Sequence, residues 1–228
     1  RRRRWRRKRH RSRSQIRCHQ RASPISWVGG RVRILFATGN PHKVAEAVQM
    51  LSPLGHGVEP LLVDGEAPDF VEPQAEGLEV VAFAKIEQAR MMIEGTELED
   101  SAIMVEDSGL FIDSLDGFPG AYSSFVEGTV GLDGILRLLE EADDRGAEYR
   151  AVAIVDLDGR TWQSNGVCRG RISGEMLGTG GFGYDPIFIP NEGDGRTCAQ
   201  MSAEEKSAIS HRGQALKGLS EVLSSASR

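Results

Sequence analysis

The chain has 228 residues, 39% of them hydrophobic, enough for one domain with a sizeable core or for two lobes that share one. No stretch approaches the roughly 20 apolar residues of a membrane span. Three cysteines (Cys18, Cys168, Cys198) without CxxC or Cys/His spacing argue against a disulfide framework and a zinc motif, so a reducing, cytoplasmic setting is expected. The net charge of −5 conceals two chemistries: residues 1–31 hold 13 Lys/Arg and no acid, whereas residues 32–228 hold 15 basic and 33 acidic residues, a balance of −18.

The basic leader admits three readings: a nucleic-acid-binding arm, an Arg-rich transit peptide, or a segment upstream of the true start with no dedicated role. It lacks the apolar core of a secretory signal. The acidic remainder repels phosphate backbones, which makes a nucleic-acid partner unexpected. Folding signals begin at Val32, so the expected organisation is a disordered leader over 1–31 and one domain over 32–228.

Val32–Ala37 is a short apolar, β-prone run that ends at Thr38-Gly39-Asn40. From Pro41 to Leu51, Val44, Ala47, Val48 and Leu51 recur at helical spacing, with Pro41 suited to the first turn. A strand over Val58–Val63 and a helix over Leu78–Ile93 follow. Ala102–Val105 reads as a buried strand ending at Glu106-Asp107-Ser108-Gly109, with a second short strand over Leu110–Ile112. Gly117–Gly120 is a turn and Leu132–Glu141 a helix. Ala147–Asp156 and Thr161–Ile172 pair across an Asp158-Gly159 turn. A glycine-rich stretch, Gly178–Asp185, leads to a strand over Pro186–Ile189, and Ala203–Leu223 is helical with interruptions. The alternation gives an α/β class with a mixed sheet.

Four stretches could carry chemistry. Thr38–Lys43, between strand and helix, offers backbone N–H donors, polar side chains and a cation to a phosphate chain, without the glycine pattern of a Walker A loop. Glu106 and Asp107 offer carboxylates that can hold Mg²⁺ or orient water, or simply cap a turn. Upstream, Glu72 and Glu76 either complete such a site or are surface acids. The glycines of 178–185 permit close approach to a flat ligand on which Phe182 or Tyr184 could stack, or form only a tight hairpin. In the fourth stretch, Lys206 and Ser210 lie four apart on one helix face, followed at once by His211 and Arg212.

In this order the four stretches resemble the inosine/xanthosine triphosphate pyrophosphatase family (the Ham1-like proteins). Thr38–Lys43 is similar to its TGNxxK loop, Glu106–Leu110 to its acidic segment, Gly180–Phe188 to GGFGYDPIF, and Glu205–Leu216 to EKSAISHRGQAL. The similarity spans residues 32–220; the leader has no counterpart. It implies an elongated mixed central β-sheet with two α/β lobes flanking a nucleotide-binding cleft, usually in a homodimer. The implied reaction is Mg²⁺-dependent attack of water on the α-phosphorus of ITP, dITP or XTP, releasing the monophosphate and pyrophosphate. The resemblance assigns catalysis to Asp107 and metal to Glu72 and Asp107. It assigns phosphate binding to Thr38, Gly39, Asn40, Pro41, His42, Lys43, Ser108 and Lys206. Base and ribose fall to Phe182, Gly183, Tyr184, Asp185, Ser210, His211 and Arg212. Donors from His211 and Arg212 would suit the keto oxygen of hypoxanthine or xanthine and oppose the amino group of adenine.

Three rivals stay open on sequence. A nucleic-acid module would bind through the leader. A nucleotide sensor would keep Phe182, His211 and Arg212 without needing Asp107. A hydrolase of modified pyrimidine triphosphates would differ in substrate.

Overall fold

The computed structural model describes residues 32–75 and 77–226; the basic leader, Glu76 and the last two residues lie outside the described residues. The described strands are β1 (Arg33–Phe36), β2 (Gly57–Pro60), β3 (Ala102–Ile112), β4 (Gly146–Leu157), β5 (Arg160–Ile172) and β6 (Phe188–Pro190). They form one mixed sheet in the order β2-β1-β3-β4-β5-β6. The pairs β2–β1 and β1–β3 are parallel, and the pairs β3–β4, β4–β5 and β5–β6 are antiparallel.

Helices α1 (Pro41–Leu51) and α2 (Leu78–Ile93) have the bounds that periodicity predicts. Both carry a parallel crossover, which needs a helix-length connection. Strand β2 stops short of the expected Val63. Pro60 has no N–H for the ladder, and Val63 instead pairs locally with Glu66. Beyond β3 come α3 (Ser123–Thr129) and α4 (Gly131–Leu138), and after β6 come α5 (Ala203–Ile209) and α6 (His211–Ala226).

The largest departure from expectation is β3. Glu106-Asp107-Ser108-Gly109 is no turn: it lies in the middle of one 11-residue strand, paired with β4 from Ile103 to Ile112. That ladder overrides the turn propensity of Asp-Ser-Gly. Gly109 is needed there for packing, since a Cβ would lie 2.2 Å from the Gly120 carbonyl oxygen. On the other side, β1 pairs with β3 only from Ala102 to Met104. Past Met104 the β1 side of β3 is open, and the cleft forms there.

Side-chain alternation then divides β3 between two faces. Ala102 and Met104 pack with Ala47, Leu51, Leu216 and Leu219 of α1 and α6. Ile103 and Val105 pack with Ala82, Ile86, Ala89 and Ile93 of α2. Further along, Leu110 and Ile112 join Val126, Ile135, Leu139, Tyr149 and Phe188 in a separate cluster. Two clusters thus back the phosphate-loop lobe and one backs the second lobe.

One packing defect stands out. His56, between α1 and β2, is 2% exposed, and among the described residues neither ring nitrogen has a hydrogen-bond partner. Burial holds its imidazole below the usual histidine value, so folding favours the neutral ring. Its contribution is fully present above the unfolded-state value of about 6.5 and is lost as pH falls below it. His56→Leu removes that titration. The fall in melting temperature between pH 7.5 and pH 5 should be smaller in the variant than in the parent; equal falls would show that His56 does not govern acid stability.

Candidate active site

A cleft of about 350 Å³ opens along the free edge of β3, within the usual range for small-molecule sites. Because adjacent strand residues face opposite ways, Glu106 and Asp107 do not form a joint pair. Glu106 faces α1 and α6; Asp107 faces α2.

Glu106 is 2% exposed. Lys43 Nζ lies 2.9 Å from its Oε2 and 3.3 Å from its backbone oxygen, and Arg212 Nε lies 3.2 Å from Oε1. Burial opposes the charge, but Arg212 and Lys43 hold the carboxyl well below the usual carboxylate range. Arg212, also buried, donates from Nη2 to Ser108 Oγ at 3.0 Å and pairs through Nη1 with Glu46. Glu46 in turn meets Lys206 Nζ at 3.1 Å, and Lys206 reaches Asp185 Oδ2 at 2.7 Å. Six charged groups from α1, β3, α5, α6 and the glycine-rich stretch form one chain of ion pairs.

On the opposite face Lys85 Nζ lies 2.8 Å from Asp107 Oδ1 and 2.7 Å from Glu72 Oε1. Burial lifts the Asp107 carboxyl above its usual value, and Lys85 and Lys43 counter part of that lift. Burial works against the Lys85 ammonium, yet Asp107 and Glu72 raise it overall. Glu72 is presented by a clamp: Gln88 Oε1 accepts from the Val71 N–H, and Gln88 Nε2 donates to the Val71 oxygen, each at 2.9 Å. Both carboxylates therefore converge on the Lys85 ammonium beside the cleft, each through one oxygen. Among the described residues no three His, Cys, Asp or Glu side chains form an all-protein metal cage. Two carboxylates lining the cleft do fit Mg²⁺, which is commonly held by one or two carboxylates and completed by phosphate oxygens and water.

At the α1 N-terminus the expected N–H donors are already used. Asn40 caps the helix, its Oδ1 accepting from the His42 N–H at 2.9 Å and the Lys43 N–H at 3.3 Å, and Pro41 has none. What this turn presents to the cleft is therefore Thr38, Gly39, Asn40 and the Lys43 cation rather than the amides of the first turn of α1.

At the other end, His211 stacks on Tyr149 with ring centroids 4.5 Å apart and planes 7° apart. Burial, then the Arg212 charge, hold its imidazole well below the usual value, so the ring is neutral and has one N–H to give. Asp185 Oδ2 accepts the Phe182 N–H at 2.8 Å, and the Tyr184 hydroxyl donates to the Ser123 oxygen at 2.8 Å.

Of the expected residues, Thr38, Gly39, Asn40, Lys43, Glu72, Asp107 and Ser108 line the cleft. So do Phe182, Gly183, Tyr184, Asp185, Lys206, His211 and Arg212. Pro41, His42 and Ser210 do not. Ser210 ends α5 in an extended conformation instead of sharing a helix face with Lys206, and its Oγ accepts the Gly213 N–H at 3.0 Å. Sequence reasoning gave no role to Lys85 or Glu46, which look like ordinary polar positions on amphipathic helices. A lysine on the buried side of α2, facing Asp107, was the available signal for Lys85.

The comparisons agree with this architecture. The Ham1 family model matches residues 34–222. A dITP/XTP pyrophosphatase of Pyrococcus horikoshii is 47% identical over 192 residues, covering 84% of this chain and 97% of that protein. One of Methanopyrus kandleri is 44% identical over 191 residues, covering 83% and 95%. Among solved structures, a HAM1 protein from Coxiella burnetii superposes with a TM-score of 0.72 at 32% identity, covering 85% of this chain and 99% of the other. On the family match and on relatives of this identity over nearly their whole length, the chain belongs to the Ham1 family.

Proposed function

We propose that this protein hydrolyses non-standard purine nucleoside triphosphates, ITP, dITP and XTP, to the monophosphate and pyrophosphate. The observation that carries the reading is the convergence of Lys43, Lys85 and Lys206 with Asp107 in one cleft, in a chain whose relatives are named dITP/XTP pyrophosphatases. Lysines at Lys43, Lys85 and Lys206 neutralise charge on a triphosphate, and Thr38, Asn40 and Ser108 fix its path. Asp107 orients the attacking water and accepts its proton. The new oxygen–phosphorus bond forms at the α-phosphorus as the bond to the bridging oxygen breaks, and pyrophosphate leaves with that electron pair. Glu72 and Asp107 would hold Mg²⁺, which when bound would supply positive charge to the phosphate oxygens. The sensor reading leaves Asp107 and its lysine unexplained, which favours turnover.

The His211 N–H, directed at the base edge, suits the keto oxygen at C6 of hypoxanthine and xanthine, while adenine would set donor against donor. Tyr149 behind it keeps the ring in plane. Phe182 stacks on the purine, with Tyr184 and Asp185 at the rim. A homodimer in the cytoplasm is the proposed working form. Among the described residues no helix is long and apolar enough to cross a membrane, and Phe125, 71% exposed, and Val130 on the second lobe offer apolar surface to a partner copy. Sedimentation at the mass of a single 24.9 kDa chain would overturn the dimer, and recovery with membranes the location.

Pyrophosphate release should occur from ITP and XTP with Mg²⁺, be near background from GTP and ATP, and fall roughly 10²-fold or more in Asp107→Asn. No release from any substrate would move the reading to a sensor. His211→Phe keeps a ring against Tyr149 and removes the donor. The ratio of ITP to ATP hydrolysis should drop roughly tenfold in this variant; an unchanged ratio would remove His211 from base reading.

A further inference from the structure

His42 lies in the phosphate-loop motif but is turned away from phosphate chemistry. Its backbone N–H is taken by Asn40 Oδ1 at 2.9 Å, and its side chain is absent from the cleft lining. The ring lies nearly parallel to that of Phe182, with centroids 5.1 Å apart and planes at 15°. Phe182 does line the cleft, as do Lys206 and Arg212, whose Nζ and Cζ stand 4.6 and 5.4 Å from its ring centroid. His42, which does not line the cleft, thus stacks on a ring that does.

The placement has a helical logic. His42 and Glu46 are one turn apart on α1, so they share a face. Glu46 holds Lys206 and Arg212, and His42 holds the ring over which those two cations lie. The helix that begins at the phosphate loop thus braces the base end of the cleft at two points.

We propose that His42 is a positioning residue for the purine: its stack on Phe182 fixes the plane against which the base binds, and it makes no contact with the phosphates. A phenylalanine ring in a glycine-rich stretch has rotamer freedom to lose when a base stacks on it; a ring already held loses less. The effect is carried by ring packing, so it depends neither on the charge of His42 nor on which groups the base edge presents. Inosine and adenosine nucleotides should respond alike. This inference rests on the nucleotide cleft of the preceding subsection.

The test is calorimetric binding of inosine monophosphate and, separately, of inorganic tripolyphosphate, to the full chain, His42→Ala and His42→Phe. Beside it, KM and kcat for ITP are measured with Mg²⁺. His42 is exposed on α1, so both substitutions leave the core untouched. Monophosphate binding should weaken roughly three- to tenfold in His42→Ala, the range expected for one aromatic pair, and recover in His42→Phe. Tripolyphosphate binding and kcat should stay unchanged, with the loss appearing in KM. Equal weakening toward tripolyphosphate would make His42 a phosphate ligand and overturn the proposal, as would failure of His42→Phe to restore binding. Unchanged or tighter monophosphate binding in His42→Ala would overturn it too, the latter by showing that the stacked pair closes the base site. Wild-type binding without pyrophosphate release would overturn the hydrolase reading alone; no binding of the monophosphate by the wild type would overturn both.

Discussion

Glu106 is a carboxylate with almost no access to water, and a charge so placed needs counter-charges fixed around it. Lys43 and Arg212 provide them from α1 and α6, two helices far apart in sequence. Removing one partner would leave that charge only partly compensated, and removing both would approach the loss of about 3–5 kcal/mol typical of an unpaired buried charge. The helix that opens with the phosphate loop and the helix that opens with His211-Arg212 are therefore locked to the same strand residue. The spacing of the α1 and α6 ends of the cleft follows from that lock, and Glu46 and Lys206 extend it to the glycine-rich stretch.

Strand alternation gives the second organising fact. One residue after Glu106, Asp107 faces the other way and belongs to a separate cluster with Lys85 and Glu72. The carboxylate locked between Lys43 and Arg212 and the one paired with Lys85 are neighbours in the chain but opposite in orientation. The first is held far toward ionisation, whereas the second is lifted by burial. The same chemical group thus takes two roles because the pleat puts it in two environments.

Much of this was legible in the sequence, for reasons that can be stated residue by residue. Val44, Ala47 and Leu51 recur at helical spacing because one side of α1 meets the sheet. The signal for α2 is Val81, Ala84, Lys85, Ala89 and Met92, of which only Val81 and Ala89 are buried, so its bounds came out although its buried side was only half seen. The hairpin of β4 and β5 was equally visible, since Asp158-Gly159 supplies two residues of positive φ for a tight turn. The continuity of β3 was not visible, because Glu-Asp-Ser-Gly has turn chemistry and only the β4 ladder overrules it. Lys85 and Glu46 were missed since a partner distant in sequence, 22 residues away for Asp107 and 166 for Arg212, leaves no local pattern. His42 was read as part of a phosphate loop because motif proximity says nothing of ring direction.

The β4–β5 hairpin also bears on how the chain reaches this structure. Its twelve residue pairs, from Leu157↔Arg160 outward to Gly146↔Arg171, close successively from a two-residue turn, so each new pair adds little loop entropy. The parallel pairs of β1 with β2 and β3 lack that advantage, since each must wait for a whole crossover to form. The order of assembly this favours runs from the hairpin, through β3, to the phosphate lobe. The cleft is then among the last features to appear, and partly folded chains would carry an ordered β-hairpin with no place to bind a nucleotide.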